Sequence, residues 1–225
     1  MVHTQPNFIL SGLIETDLCS IEADLEDVDL PASKILERAH RRVDSVYFPE
    51  SGFASVVADG GAKGAIEVGI IGRDGMTGLS VLLGNNPPKN ETYIQVAGKG
   101  QRIKANILRR ALDKNPSLHR ALLRYVHSFL DQAAMTALAN GRGTIEERLA
   151  RWLLLANDRI DEEELPLTQE FLSLMLGVTR PGVTVAVQSF ERRRLIAKKR
   201  GSIVILNRAG LEKLAGATYT PAVYH

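Results

Sequence analysis

Between Thr168 and Leu206 the chain sets out side chains suited to reading a flat, acceptor-rich surface. Thr179, Arg180, Gly182, Thr184 and Gln188 fall where one helix would leave its starting face exposed, with Arg180 near the beginning. A guanidinium is a planar fork of donors. It can meet two acceptors at once, as guanine O6 and N7 offer them, a contact worth roughly 1–3 kcal/mol of discrimination. Downstream, Lys198, Lys199 and Arg200 form one compact cationic run, and Arg192 to Arg194 form another. Cations at that density suit a phosphate backbone, and Gln169 and Thr168 are expected to help position it. The expected chemistry is hydrogen bonding and ion pairing, not bond making. No glycine-rich phosphate loop of the Walker type and no Ser-His-Asp arrangement stands out, so no catalytic residue is assigned. His3, His40, His119, His127 and His225 all fall outside the expected strands, so neither a metal site nor a cofactor is expected.

These side chains need elements to hold them. Thr168 is placed to cap a first helix, whose apolar positions Phe171, Leu172, Met175 and Leu176 fall at helical spacing before Gly177 allows a left-handed turn. Thr179 can cap a second helix, and Pro181 fits inside its first turn, where a missing N–H costs nothing. Val183, Val187 and Phe190 make its buried stripe. Leu195 to Lys198 and Ile203 to Leu206 then read as two strands joined through Lys199, Arg200, Gly201 and Ser202. Helix, turn, helix and hairpin in that order describe a winged helix-turn-helix, whose second helix enters the major groove of double-stranded DNA.

The whole chain sets bounds on this reading. With 225 residues it can form two modest domains and bury about 70% of its unfolded surface. A net charge of only +2 means that DNA binding requires basic residues gathered locally, which the C-terminal third supplies. The single cysteine, Cys19, can form no internal disulfide and fits a reducing compartment; it is expected to be structural. No signal peptide and no apolar run approaching the roughly 20 residues of a membrane span is present, so a cytoplasmic protein without membrane contact is expected.

Upstream, residues 7 to 30 mix apolar side chains with acids and predict one or two short amphipathic helices. From Pro31 the character changes. Ser45 to Phe48, Phe53 to Val57, Ile66 to Ile71, Tyr93 to Val96 and Gln101 to Lys104 are short β-rich runs, with turns at Pro49–Gly52 and Gly60–Gly64, and they suggest a sandwich or roll. A short helix around Ile107 to Lys114 follows. Asn115 and Pro116 start a long one, whose apolar surface, from Leu118 through Phe129 to Ala137, is too wide for one side of a free helix. Part should pack on the roll and part against a second copy. Gly141-Arg142-Gly143 is expected to break this helix as a hinge, after which Thr144 caps another helix, anchored by Trp152, Leu153 and Leu155. Asp161 to Glu164 read as an acidic loop, and Asn207 as the cap of a last short helix.

The layout resembles the Crp/Fnr superfamily of bacterial transcription regulators over nearly the whole chain. The likeness is carried by Leu176-Gly177-Val178-Thr179-Arg180, by the buried Val183 and by the early hairpin from Val46 to Gly52. The resemblance implies an α+β fold: a jelly-roll-like β-roll sensor domain over 1–115, a dimerisation helix over 116–140 and a winged helix-turn-helix over 141–225. It also implies a homodimer on an inverted-repeat operator, with RNA polymerase as a further partner if the protein is an activator. Two positions depart. Many members carry Glu two residues and Arg six residues after the cap, where this chain has Pro181 and Val185.

Members that bind a cyclic nucleotide hold the ribose through a Gly-Glu pair and the phosphate through a later Arg-Ser or Arg-Thr pair. Here the cassette reads Gly75-Met76-Thr77-Gly78-Leu79, with Leu79 in place of the acid. The later position reads Lys89-Asn90-Glu91-Thr92, where Glu91 would repel a phosphate. A degenerate pocket not gated by cyclic AMP is expected, and the sequence names no other effector. Three readings stand beside this one. A nucleotide-gated regulator would show cyclic-nucleotide-dependent DNA affinity, a roll-based metal-binding protein would copurify with metal, and a protein-interaction module would bind no duplex.

Overall fold

The computed structural model describes residues 7–61, 64–85, 87–160 and 163–221, with residues 169 and 170 by backbone alone. The chain forms two compact units. One comprises residues 7–57 with Gly69–Asp131, the other Ala58–Val68 with residues 132–221.

The first unit opens on two short helices, α1 (Phe8–Ser11) and α2 (Glu15–Cys19). Asn7 starts α1: its side chain accepts from Ile9 N and Leu10 N and donates to Pro49 O and Gly75 O, tying the N-terminal segment to the roll. Cys19 closes α2 exposed to solvent, contrary to the expected structural role, because the buried side of this segment is formed by Leu10, Asp17 and Ile21. After these two helices, which match the one or two expected over residues 7 to 30, the chain becomes extended. Strand β1 (Glu26–Leu30) escapes an alternation test because it is an edge strand that buries only Leu30. Strands β2 (Ile35–Glu37), β3 (Ser45–Pro49), β4 (Phe53–Asp59), β5 (Ala65–Ile71), β6 (Glu91–Val96) and β7 (Gly98–Lys104) complete the roll, with helix α3 (Leu79–Leu82) between β5 and β6. The strands form an antiparallel three-stranded sheet in the order β1-β7-β3 and a four-stranded sheet in the order β2-β6-β4-β5. Ala62 and Lys63, in the expected Gly60–Gly64 turn, lie outside the described residues.

The core of this unit gathers Val46 and Phe48 of β3, Ile103 of β7, Leu108 and Leu112 of α4 (Ala105–Lys114), and Leu118, Leu122 and Val126 of α5 (Pro116–Arg142). Asn115 starts α5 as predicted, its Oδ1 accepting from Leu118 N at 3.3 Å. The helix breaks within the expected Gly141-Arg142-Gly143 segment, at Gly143, and Thr144 caps the next helix as predicted. Helix α5 runs through Arg142 and ends where Gly143 N–H reaches Ala139 O at 2.8 Å.

The second unit is built on α6 (Ile145–Asn157), started by a full capping box in which Thr144 and Glu147 satisfy each other's backbone N–H. Trp152, Leu153 and Leu155 are buried as anchors, and Trp152 stands edge-on to Phe171 with ring centroids 5.3 Å apart. The Trp152 indole donates to Glu67 Oε1 at 2.5 Å. Burial pushes the neighbouring Arg151 guanidinium down to about 10, partly offset by the charge of Glu67. Helices α7 (Gln169–Leu176) and α8 (Arg180–Arg192) follow, and α9 (Arg208–Ala215) is capped by Asn207. The hairpin is tighter than predicted: β9 (Ile196–Lys199) pairs with β10 (Ser202–Ile205), leaving only Arg200 and Gly201 at the tip, where Gly201 takes φ +82°. A third strand, β8 (Glu164–Leu165), pairs with β10 where the sequence suggested only an acidic loop. Asp161 and Glu162 lie outside the described residues. A clasp closes the unit: Arg208 donates to Asp158 Oδ1 at 2.6 Å and to Asn157 Oδ1 at 2.8 Å, and Tyr219 OH donates to Asp158 Oδ2 at 2.8 Å.

Candidate nucleic-acid interface

Helices α7 and α8 meet at Gly177, whose φ of +59° makes the sharp turn without Cβ strain. Phe171, Leu172, Met175 and Leu176 on one side and Val183, Val187 and Phe190 on the other are buried, as their spacing predicts. The opposite face of α8 is thereby held outward. Arg180, Pro181, Val185, Gln188 and Arg192 are exposed on it, and Thr184 is half-buried.

The remaining expected contacts are placed as follows. Thr168 caps α7, its hydroxyl accepting from Phe171 N at 3.2 Å. Gln169 opens α7, and its side chain lies outside the described residues. Thr179 occupies the N-cap position of α8 but makes no capping hydrogen bond. Thr184 Oγ1 donates back to Arg180 O at 3.0 Å. Gly182 turns towards α6, where a Cβ would come within 3.2 Å of Ile145 Cδ1, so this glycine permits close helix packing.

The hairpin lies beside this face. A groove of about 220 Å³ runs between the start of α7 and the hairpin, lined by Leu167, Thr168, Leu172, Val187, Lys198 and Lys199. Lys198 and Arg200 are exposed. Lys199 is ion-paired with Glu164 of β8, whose second oxygen accepts from Ser202 Oγ at 2.8 Å. These donors hold the Glu164 carboxyl below the usual carboxylate range. Of the second basic cluster, Arg193 is paired with Glu146 at 3.1 Å, Arg194 takes φ +54°, and Arg192 is exposed. Sequence reasoning missed Glu164 as a partner of the basic tip. The only available signal was a two-residue strand, too short for alternation to reveal.

The cassette of the roll is occupied from within. Glu37 of β2, only 8% exposed, accepts from Gly78 N–H at 3.0 Å on one oxygen and from Thr92 Oγ1 at 2.7 Å on the other. Burial pushes its carboxyl above the ordinary range, partly offset by these two donors. Gly78 takes φ +82°, and a Cβ there would lie 2.4 Å from Val46 Cγ2, while Gly75 is pressed against the Tyr125 ring. Thr77 exchanges two hydrogen bonds with the backbone of Tyr47, Met76 is fully buried, and Leu79 opens α3 against the core. Lys89 and Asn90 precede β6, which Glu91 and Thr92 begin. The glycines are therefore turn and packing residues, and the acid that accepts from the Gly78 N–H, Glu37, is one that the sequence did not single out.

Comparison with known proteins agrees with this geometry. Residues 147–214 match the model of the Crp-like helix-turn-helix domain. No curated protein matches the chain. Among solved structures, FixK2 from Bradyrhizobium japonicum superposes with a TM-score of 0.72 at 18% identity, covering 86% of this chain and 98% of that one. A CRP-family transcriptional regulator from Thermus thermophilus gives 0.70 at 19% identity, covering 86% and 99%. The c-di-GMP-responsive global regulator CLP from Xanthomonas campestris gives 0.67 at 14% identity, covering 85% and 99%. Among the described residues no helix is long and apolar enough to cross a membrane. Residues 147–214 are a Crp-like helix-turn-helix domain, carried on a chain with the fold of the Crp/Fnr transcription regulators.

Proposed function

We propose that the protein is a sequence-specific DNA-binding transcription regulator that works as a homodimer in the cytoplasm, on an inverted-repeat operator with half-sites roughly 34 Å apart. The observation that carries this reading is the exposed face of α8, headed by Arg180 and flanked by the Lys198–Arg200 hairpin. In it 1–115 form the roll, 116–140 the dimerisation helix and 141–225 the DNA-binding domain. Arg180 reads a base, Thr179, Pro181, Gly182, Thr184 and Gln188 stand close to the groove, and Thr168, Gln169, Lys198, Lys199 and Arg200 position the backbone. RNA polymerase is a partner where the output is activation. The buried Glu37 carboxylate at Gly78 and Thr92 supports independence from cyclic AMP, since a second anion there would meet like charge in a poorly solvated place.

The test is selection of purified protein against random duplex DNA at fixed salt, without and with cyclic nucleotides and cell extract, with Arg180→Ala in parallel. An inverted repeat should emerge without cyclic AMP, and the variant should lose about 1–3 kcal/mol of discrimination at one symmetric base pair. Equal losses on all sequences would remove Arg180 from its role, and no enrichment under any condition would remove the DNA reading.

The ion pair of Lys199 gives a second expectation. Glu164→Gln releases that cation, so DNA affinity at low salt should rise about threefold, as loss of an exposed competing pair allows. The plot of log affinity against log salt should steepen by about 0.9, the value for one more neutralised phosphate. Lys199→Ala should flatten it. Titration of a fluorescent duplex at several salt concentrations checks both.

A further inference from the structure

The exposed face of α8 carries two side chains, Pro181 in its first turn and Val185 nearer its centre, that neither phosphate contact nor hydrogen bonding to a base can use. Val185 is 62% exposed. It stands four residues after Pro181 and three before Gln188, near the centre of the outward face, with the buried Val183, Ala186, Val187 and Phe190 on the other side. An apolar, β-branched residue at that position weakens the helix slightly and leaves a hydrophobic surface in water. Single exposed apolar residues are ordinary elsewhere on a protein. Here, however, the surroundings specify the occupant. Arg180 and Arg192 lie on the same helix, and the cationic hairpin Lys198 to Arg200 lies beside it, so the surface that covers Val185 must be polyanionic and still offer an apolar group. On duplex DNA the major groove supplies one such group, the C5-methyl of thymine.

Resting on the DNA-binding reading, we propose that Val185 is a specificity-determining residue that packs on a thymine methyl. Five residues separate it from Arg180, about 7.5 Å along the helix axis, so its thymine lies about two base-pair steps from the base that Arg180 reads. The preference is for thymine over cytosine and, on the same contact, for thymine over uracil. The second comparison isolates the methyl, because uracil keeps every hydrogen-bonding group of thymine.

The test uses the operator enriched from random duplex DNA, under whichever condition gave the enrichment, and replaces thymine by deoxyuridine at each position in turn. One symmetric pair of positions should cost the unaltered protein about fourfold in affinity per half-site, the transfer value of one buried carbon group, and about fifteenfold when both are replaced. Val185→Ser, an exposed substitution that leaves the core of α8 intact, should bind thymine and uracil operators alike within about a factor of 1.5. An operator with no uracil-sensitive position, or one whose sensitivity survives Val185→Ser, overturns the assignment of Val185 and leaves the DNA-binding reading standing. Failure to enrich any operator overturns both.

Discussion

A chain carrying Leu130→Glu with Ala134→Glu should sediment as a monomer and bind an inverted-repeat operator at least about a hundredfold more weakly than the unaltered chain. Along α5, Leu123, His127, Leu130, Ala134, Ala137 and Gly141 alternate at four- and three-residue intervals, which is the spacing of a coiled-coil seam. Leu118, Leu122 and Val126 point into the core of the roll, whereas Leu130 is 62% exposed and Leu138 46% exposed. In the proposed homodimer, small residues at Ala134, Ala137 and Gly141 would let a second helix approach closely. Two carboxylates placed on this line would face their symmetric copies across the seam, and like charges there oppose pairing. The loss in operator affinity is then the loss of linkage. Two joined domains meet the second half-site at an effective concentration near millimolar, and separated ones do not. Because Leu130 is exposed in the single chain, its replacement should leave far-UV circular dichroism and thermal unfolding of the monomer intact. A dimer that persists in the doubly substituted chain would move the interface away from this seam.

The second large effect lies in the roll. Glu37→Ala should lower the unfolding free energy by about 2–4 kcal/mol, because it strips a buried N–H and a buried hydroxyl of their acceptor. Glu37→Gln should cost less than about 1 kcal/mol. Its carbonyl can accept from Gly78 N–H, and its amide can donate to the Thr92 hydroxyl. The two variants also separate in pH. Burial raises the carboxyl in the folded chain, so the folded state holds the proton more tightly than the unfolded one. The stabilising contribution of that proton is fully present below the ordinary carboxylate range. It is lost as pH rises through the higher folded value. Wild type should therefore gain on Glu37→Gln as the pH falls from 7 towards 4, measured as a difference in urea midpoints. A difference that does not change with pH, or equal losses for Ala and Gln, would show that the carboxyl is not the group holding the cassette.

The helix-turn-helix was legible in the sequence because its signals are local. Gly177, Thr168 and the apolar positions of α7 and α8 each act within one or two turns of themselves. The long helix was legible for the same reason, and so was its end, because Gly141-Arg142-Gly143 and the capping Thr144 are local signals too. What could not be read depends on distant partners. Strand β1 is rich in acids and owes its conformation to β7, whose paired residues lie 68 to 76 positions away, from Leu30 with Gly98 to Glu26 with Arg102. Glu37 belongs by type on the surface, and the groups that bury it lie 41 and 55 residues along the chain. Glu164 has a partner 35 residues away and only a two-residue strand to announce it.

The pairing of Lys199 with Glu164 has a kinetic consequence for the proposed regulator. A protein that must find one operator spends most of its time on other DNA, held there by phosphate contacts that are the same everywhere. By competing for Lys199, Glu164 weakens those contacts wherever the hairpin lands, on operator and non-operator alike, so the ratio of the two affinities is unchanged. The wells that the protein must climb out of during its search become shallower. Each wrong encounter is shorter, and residence on the operator comes to depend more heavily on the base edges and the thymine methyl beneath α8.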